Sequence, residues 1–398
     1  MALGVRHRRR AVHRRPTDLR TSNRSASDDY TLDVQYRHPQ GENGRWETGF
    51  KLENRLINND YLAEEQTAGV WQTFLNLDNA VDYEERIGGA FVQYGQEMGK
   101  WEFQAGLRSE MARIRIADRE DEFTQQKDFF NLFPSASVGY ELSEKTNLQA
   151  SYSYRINRPS LWELYPFFEV RDINIFQTGN PQLNPSFTHG YELGLTHRRE
   201  KWSITPSAYA RQTTAPFQDF VTQYEQDFLR ILPVNIEAET TVGLELSWRY
   251  QPIRILRLRG EFNFRYFDQT GTYEGQDLSA SGGVWNTRVS ANVRLPQRVR
   301  LSVRYQYRGG QRKAQFRYYG SADLSLSLSK SFWEDRFSVN VQARNILDTR
   351  IIRSEALIGD TVFEQSRRRV GARYNMTFVY RFNQTENDRM RYQKRGNR

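Results

Sequence analysis

The 398-residue sequence predicts an all-β protein, an antiparallel up-and-down transmembrane β-barrel of about 15 strands. Three observations predict it. Hydrophobic residues are only 38% of the chain while aromatics reach 14%, and mean hydropathy is −0.80. No stretch approaches the roughly 20 apolar residues of a membrane helix. Apolar residues instead recur at every second position over runs of about 10–14 residues, longer than the 5–6 of an ordinary strand and close to what a tilted membrane-spanning strand needs. Finally, the connections between these runs alternate strictly between short and long.

The elements follow in chain order, each marked by period-two alternation. They lie at roughly 30–37, 45–53, 86–96, 101–114, 132–141, 146–155, 187–198, 201–212, 236–250, 255–267, 284–295, 298–308, 319–330, 336–345 and 369–382. In 187–198, Phe187, Tyr191, Leu193 and Leu195 oppose Thr188, Gly190, Glu192, Gly194 and Thr196. Segment 236–250 sets Val242, Leu244, Leu246 and Trp248 against Thr241, Gly243, Glu245 and Arg249, and 255–267 sets Leu258, Phe262, Phe264 and Tyr266 against Arg257, Arg259, Glu261 and Arg265. Val299, Leu301, Val303, Tyr305 and Tyr307 alternate with Arg298, Arg300, Ser302, Arg304, Gln306 and Arg308, and Leu324, Leu326 and Leu328 alternate with Asp323, Ser325, Ser327 and Ser329.

Short connections include His38–Gly44, Glu97–Lys100, Leu142–Lys145, Arg199–Glu200, Pro296–Gln297 and Ser331–Asp335; long ones are 54–85, 115–131, 156–186, 213–235, 268–283 and 346–368. Short periplasmic turns opposite long extracellular loops are the outer-membrane signature. An Arg or Lys facing lipid at the midplane costs about 2–4 kcal/mol, so Glu245, Arg257 and Arg304 are assigned to the lumen. Trp101, Trp202, Tyr250, Tyr305 and Tyr380 suit interfacial girdles. With short turns periplasmic, the first and last strands both descend. An odd set of this kind does not close in antiparallel fashion, so the barrel is expected to be incomplete, with N-terminal strands missing.

The net charge of +9 resides in the ends: residues 1–24 carry eight Arg and one Asp, and 383–398 carry five basic and two acidic side chains. The expected organisation is a basic, disordered, non-native segment 1–27, a barrel portion 28–382 and a polar basic tail 383–398. A near-neutral body argues against nucleic acid as a partner. Absence of Cys removes zinc ribbons, thiol nucleophiles and disulfides.

Residues 151–192 contain YSYRINRPSLWELYPFF and TGNPQLNPSFTHGYELG. Arg155, Asn157, Arg158 and Pro159, followed by Gly179, Asn180, Pro181, Leu183, Pro185, Tyr191 and Glu192, resemble the barrels of TonB-dependent receptors, most of all the Bacteroidetes-type outer-membrane β-barrel family. Asn345 and Asp348 resemble that family's turn after the penultimate strand, and the stretch ending at Phe382 its last strand with a terminal aromatic. The resemblance covers roughly 28–382 and implies an outer-membrane location and energy-coupled uptake of a scarce ligand. It also implies contact with outer-membrane lipid, recognition of the last strand by the barrel-assembly machinery, and TonB and a plug as partners of the full-length protein only. Such receptors have about 22 strands around a plugged lumen; about seven strands, the plug and the TonB box have no counterpart here, so the chain alone is not expected to transport. Proline and glycine placement gives the GNPxLxP element a structural role, as an irregular segment descending into a strand.

No enzyme is expected, and no catalytic residue, metal site or cofactor is assigned. His189 and His197 share a strand face but stand about 26 Å apart, too far for one metal. The GxSxG, P-loop and HExxH patterns are absent from the sequence. Glu237, Glu239 and Glu245 are expected to pair across strands with Arg257, Arg259 and Arg265. Two other function classes stay open: a passive porin-like channel, and a soluble carbohydrate-binding β-protein. The ligand is an unknown small molecule, with Trp71, Trp162, Tyr165, Phe168, Phe176, Phe217 and Tyr224 of the long loops as candidate contacts, balanced against burial of these rings by loop packing.

Overall fold

A computed structural model describes residues 2–6, 18–119, 123–167, 169–172, 175–224, 228–333, 335–359, 361–368 and 371–382. Fifteen strands form one antiparallel sheet whose spatial order is the chain order. They are β1 (Leu19–Gln40), β2 (Gly44–Thr67), β3 (Val70–Met98), β4 (Trp101–Asp118), β5 (Thr124–Ser143), β6 (Thr146–Asn157), β7 (Ser186–Arg198), β8 (Trp202–Thr214), β9 (Ala238–Ile253), β10 (Leu256–Thr270), β11 (Ala280–Leu295), β12 (Val299–Arg308), β13 (Ser321–Phe332), β14 (Phe337–Arg344) and β15 (Arg373–Tyr380). Each of the fifteen alternating segments is a strand of this sheet. The sheet is open: β1 pairs only with β2, and β15 only with β14.

Alternation places the side chains as the sequence requires. Outward-facing rows are apolar: Leu32, Leu52, Phe103, Leu107, Leu132, Leu193, Leu244, Phe262, Leu326 and Phe378 are all exposed. The opposite face is polar and charged. Aromatic rings cluster beside the short turns, with Trp46 4.6 Å from Tyr94, Trp101 4.5 Å from Tyr140, and Trp202 registered against Tyr250. Trp285 and Tyr307, 4.3 Å apart, sit with the exposed Tyr266 toward the opposite rim. An apolar band between two aromatic belts is what a bilayer selects.

The strands differ from expectation at the extracellular end. The stretches 54–85 and 115–131 are mostly ladder rather than loop: β2 and β3 run on to a two-residue turn at Ala68 (φ 52°) and Gly69 (φ 84°). Positive φ at both central positions matches the right-handed twist of a hairpin, and Gly takes it without steric cost. Above the bilayer the outer face need not be apolar, so the alternation that marks a strand fades although the backbone still pairs. The N-terminal segment is corrected for the same reason. Residues 19–27, expected to be disordered, pair with 57–65 because the extended β2 offers unpaired amides, and Arg20 meets Glu64 at 2.6 Å. Ala2–Arg6 also forms a strand, against Thr361–Arg368. Residues 7–17 and the tail 383–398 lie outside the described residues, as do 369 and 370 at the expected start of the last strand.

Four of the long connections carry their own structure, one of them only a short hairpin, Thr272–Tyr273 with Gln276–Asp277, between β10 and β11. The first, between β6 and β7, holds helix α1 (Leu161–Leu164) and short strands Glu169–Asp172 and Ile175–Gln177. A hairpin, Phe217–Tyr224 with Phe228–Asn235, joins β8 to β9, and its second strand pairs in parallel with Ile175–Gln177. Another hairpin, Ile351–Ile358 with Thr361–Arg368, joins β14 to β15 and pairs with Phe316–Tyr318. The main core therefore lies at the extracellular end, on the lumenal side. Leu161, Leu164, Tyr165 and Leu183 of the first loop pack on Val81, Tyr83, Ile114 and Ile116 of β3 and β4. Among the described residues no helix is long and apolar enough to cross a membrane.

Candidate functional site

The motif residues tie the first loop to the barrel and to its neighbour. Strand β6 carries Arg155 and Asn157, opposite Thr188 and Ser186 of β7. Arg158 turns inward to a 2.6 Å ion pair with Glu110 of β4, both side chains about nine-tenths buried. Buried Pro159 ends the ladder, since it has no N–H to donate. Glu163 accepts hydrogen bonds from the Ser160 N–H and hydroxyl at 2.8 Å, fixing the start of α1. Gly179 N–H then donates to Tyr165 O at 2.6 Å, and a Cβ at Gly179 would lie 2.4 Å from Tyr165 N. Only glycine permits that approach.

Asn180 works with both ends. Its backbone N–H donates to Glu163 O, its Nδ2 to Pro233 O of the next loop at 3.1 Å, and its Oδ1 accepts from Gln182 N–H. Pro181 is half-buried and Pro185 fully buried, Leu183 is wholly enclosed, and its carbonyl accepts from Lys127. Tyr191 faces outward on β7 while Glu192 faces the lumen beside Tyr209. Asn345 and Asp348 both adopt φ 52°; the Asn345 side chain accepts from Arg350 N–H, and Asp348 pairs with Arg368. Phe382 is exposed. These contacts shape loops rather than gather around one chemical centre.

The loop aromatics divide. Tyr165 and Phe176 are buried in the loop cores, with 4% and 1% of their surface exposed, so neither reaches solvent. Phe217 packs against the same core as Tyr165. Trp71 belongs to β3, its ring 4.2 Å beneath the Arg20 guanidinium, and Trp162 is exposed on α1. Tyr224 pairs through its backbone with Phe228. Phe168 lies outside the described residues.

The hollow with recognition chemistry is elsewhere. A concavity of about 760 Å³ opens on the lumenal side of β9–β13, beneath the loops between β12 and β13 and between β14 and β15. Arg265, Arg288, Arg308, Arg353, Tyr318 and Tyr319 line it, with Glu245 and Glu261 on its wall. Arg265 is steadied by Gln311 at 2.9 Å, and the Arg353 guanidinium sits 4.6 Å over the Tyr319 ring while pairing with Glu364 at 2.8 Å. Tyr319 donates to Glu355 at 2.5 Å, which holds its phenol above the usual pKa; burial does the same for Tyr318. Both are therefore neutral donors beside cationic guanidinia. Such a surface suits a small polar solute with acidic oxygens and a flat face.

The expected pairing of the acidic row with Arg257, Arg259 and Arg265 does not occur. Register sets Glu245 opposite Asn263, to which it is hydrogen-bonded at 2.8 Å, and Arg259 opposite Arg249. Glu237 accepts instead from the Thr272 N–H at 3.0 Å. Sequence reading missed these registers because hairpin lengths could not be fixed to the residue. Among the described residues, no three His, Asp or Glu side chains gather as a metal-ligand set.

The model of the outer membrane protein beta-barrel family matches residues 9–380. No curated protein matches the sequence. The chain is similar to the solved ferric yersiniabactin uptake receptor FyuA from Yersinia pestis, at 13% identity and a TM-score of 0.64 over 92% of this chain and 56% of that one. It is similar to the copper transporter OprC, at 12% and 0.66 over 90% and 57%. The ferric-catecholate import receptor Fiu from E. coli K12 matches at 10% and 0.63, over 91% and 55%. At these identities the likeness is one of fold. The chain spans a little over half the length of the structures it matches.

Proposed function

Because the chain belongs to the outer membrane protein beta-barrel family and is an outer-membrane protein, we propose that it is the C-terminal barrel portion of a TonB-dependent receptor for a scarce small ligand. One observation carries the reading: an apolar-out, polar-in sheet whose extracellular loops fold inward over a cup of arginines and tyrosines. A cup of this kind captures a solute, whereas a passive pore is served by an unobstructed lumen. The named relatives are an uptake receptor, a copper transporter and an import receptor, and uptake extends to this chain as part of the proposal.

The open edges of β1 and β15 bear on how the chain works. Within a bilayer each unpaired N–H and C=O costs several kcal/mol. Since β1 and β15 run in the same direction, joining them directly would make a parallel seam. We propose that further strands of the receptor close the barrel, and that its plug and TonB act through the complete protein. The last strand, with outward Tyr374, Met376, Phe378 and Tyr380, is the segment offered to the assembly machinery.

Uptake tests this. Deleting the gene should abolish depletion of one solute from the medium, and removing TonB from an intact strain should do the same. Depletion that survives loss of TonB, together with steady conductance in planar bilayers, would favour the porin-like alternative.

A further inference from the structure

The lumenal wall changes character with depth. In the upper rows acids and bases are mixed: Glu261 pairs with Arg288 at 3.4 Å, and Asp323 with Arg350 at 3.4 Å. Three rows toward the periplasmic turns carry no acid at all on β9–β12. Arg249 stands directly opposite Arg259, whose other neighbour is Ser290, which in turn faces Arg304. The next row holds Arg257, Asn292 and Ser302, and the one below sets Arg294 directly opposite Arg300. None of these six arginines forms an ion pair with a described residue.

Like charges directly opposite on neighbouring strands destabilise a sheet. Two such pairs, with a fifth and sixth arginine beside them, call for a compensating anion. The patch covers about 14 Å across the strands and about 13 Å along them, from a ~4.8 Å strand spacing and a ~3.3 Å rise. Hydroxyls surround it: Ser203, Thr205, Ser247 and Ser290 line a concavity of about 560 Å³ together with Arg249, Arg259 and Arg304, and at its upper edge Glu261 is paired with Arg288. Guanidinium forks flanked by hydroxyl donors are the chemistry of carboxylate and phosphate recognition. Rings and rows of Arg also select anions in pores.

We propose that this arginine wall is a second, deeper binding site for a compact multivalent oxyanion, and that the solute the receptor takes up is of that class, passing from the upper cup to this wall. The inference rests on the uptake reading and adds the chemical class of the solute. The concavity of about 560 Å³ has the size of a small solute, and the competing occupant in the complete receptor is an acidic segment of the plug, which the peptide arm of the test separates.

Calorimetric titration of the full chain in detergent micelles, using pyrophosphate and citrate as probes, tests it. Either anion should bind, and raising salt from 50 to 300 mM should weaken binding at least tenfold. Tighter binding of pyrophosphate would identify a phosphorylated solute, and tighter binding of citrate a carboxylated one. Arg249→Gln/Arg259→Gln and Arg294→Gln/Arg300→Gln should each weaken binding at least tenfold, whereas Arg45→Gln, on β2 beside Glu47 and away from the wall, should change it less than threefold. Relief of like-charge repulsion should also leave the unfolding midpoint of the double variants unchanged or raised. No binding to folded wild-type chain, or a lowered midpoint in both double variants, would overturn the proposal. So would a hexaglutamate peptide binding more tightly than either small anion, which would assign the wall to an acidic protein segment. TonB-dependent uptake that persists in cells carrying both double substitutions would defeat this inference and leave the receptor reading intact.

Discussion

Phe262→Arg tests the assignment of the outward face to lipid. On β10 the outward row runs Leu258, Gly260, Phe262, Phe264 and Tyr266, and register sets Leu258 opposite Tyr250 and Phe262 opposite Leu246. Phe262 is thus four residues from the lower aromatic belt and four from Tyr266. At ~3.3 Å per residue and a strand tilt near 40°, it lies about 10 Å from either boundary, the middle of a ~25 Å apolar band. Arg at that depth costs about 2–4 kcal/mol, and 3 kcal/mol lowers the folding constant about 150-fold. The ring also sits 6.3 Å from Trp285, so Phe262→Ala supplies the reference that removes the packing contribution. Guanidinium unfolding in phosphatidylcholine vesicles, followed by tryptophan emission, reads the difference. Asn263→Arg, one residue along and facing the lumen, should cost under 1 kcal/mol. If both arginines cost the same, the outward face does not meet lipid and the membrane assignment is wrong.

Other outcomes follow from single contacts. Gly179→Ala forces a Cβ against the Tyr165 backbone and should release the first loop, seen as faster proteolysis within 158–185 while the strands stay protected. Arg158→Ala leaves the buried Glu110 with Arg108 alone, 2.8 Å from its other oxygen, and should destabilise by about 2 kcal/mol, whereas Arg158→Ala with Glu110→Ala should recover part of that loss in the same unfolding assay. Gly260→Ala drives a methyl into the Trp248 ring, whose atoms lie 2.2 Å from the required position; a shift in tryptophan emission with little loss of strand content is expected, and an unchanged spectrum would contradict the contact.

The transmembrane part of this fold is written plainly in the chain because lipid on one side and a wet lumen on the other force strict alternation. Fifteen strands in sequence order emerge from that alone. The signal fails above the bilayer, where Asn54–Asp60 reads as loop yet continues β2, because its outer face meets water and its inner face meets a folded loop. It fails again for partners that register decides. Nothing in the spacing of Arg249 and Arg259 reveals that they face each other, since a two-residue change at one turn would re-pair them. The GNPxLxP element was legible as a structural device through its prolines and glycine, but its tie from Asn180 to Pro233 joins segments fifty-three residues apart. The upper cup was not legible, because Tyr318, Tyr319 and Arg353 come from two loops that only the fold brings together.

Every strand of the large sheet is bonded to the strand that precedes or follows it in the chain. Large β-proteins are usually slow to fold because distant segments must find one another. Here each hairpin pays only for a local closure, and the sheet can grow one neighbour at a time. The exceptions are Ala2–Arg6 with Val362–Ser366, and the loop pairings Leu229–Ile231 with Ile175–Gln177 and Phe316–Tyr318 with Ser354–Ala356, which bridge intervening strands. The extracellular cap is therefore set to form after the wall, and a pulse of hydrogen exchange during refolding should protect β9–β14 before it protects the cup.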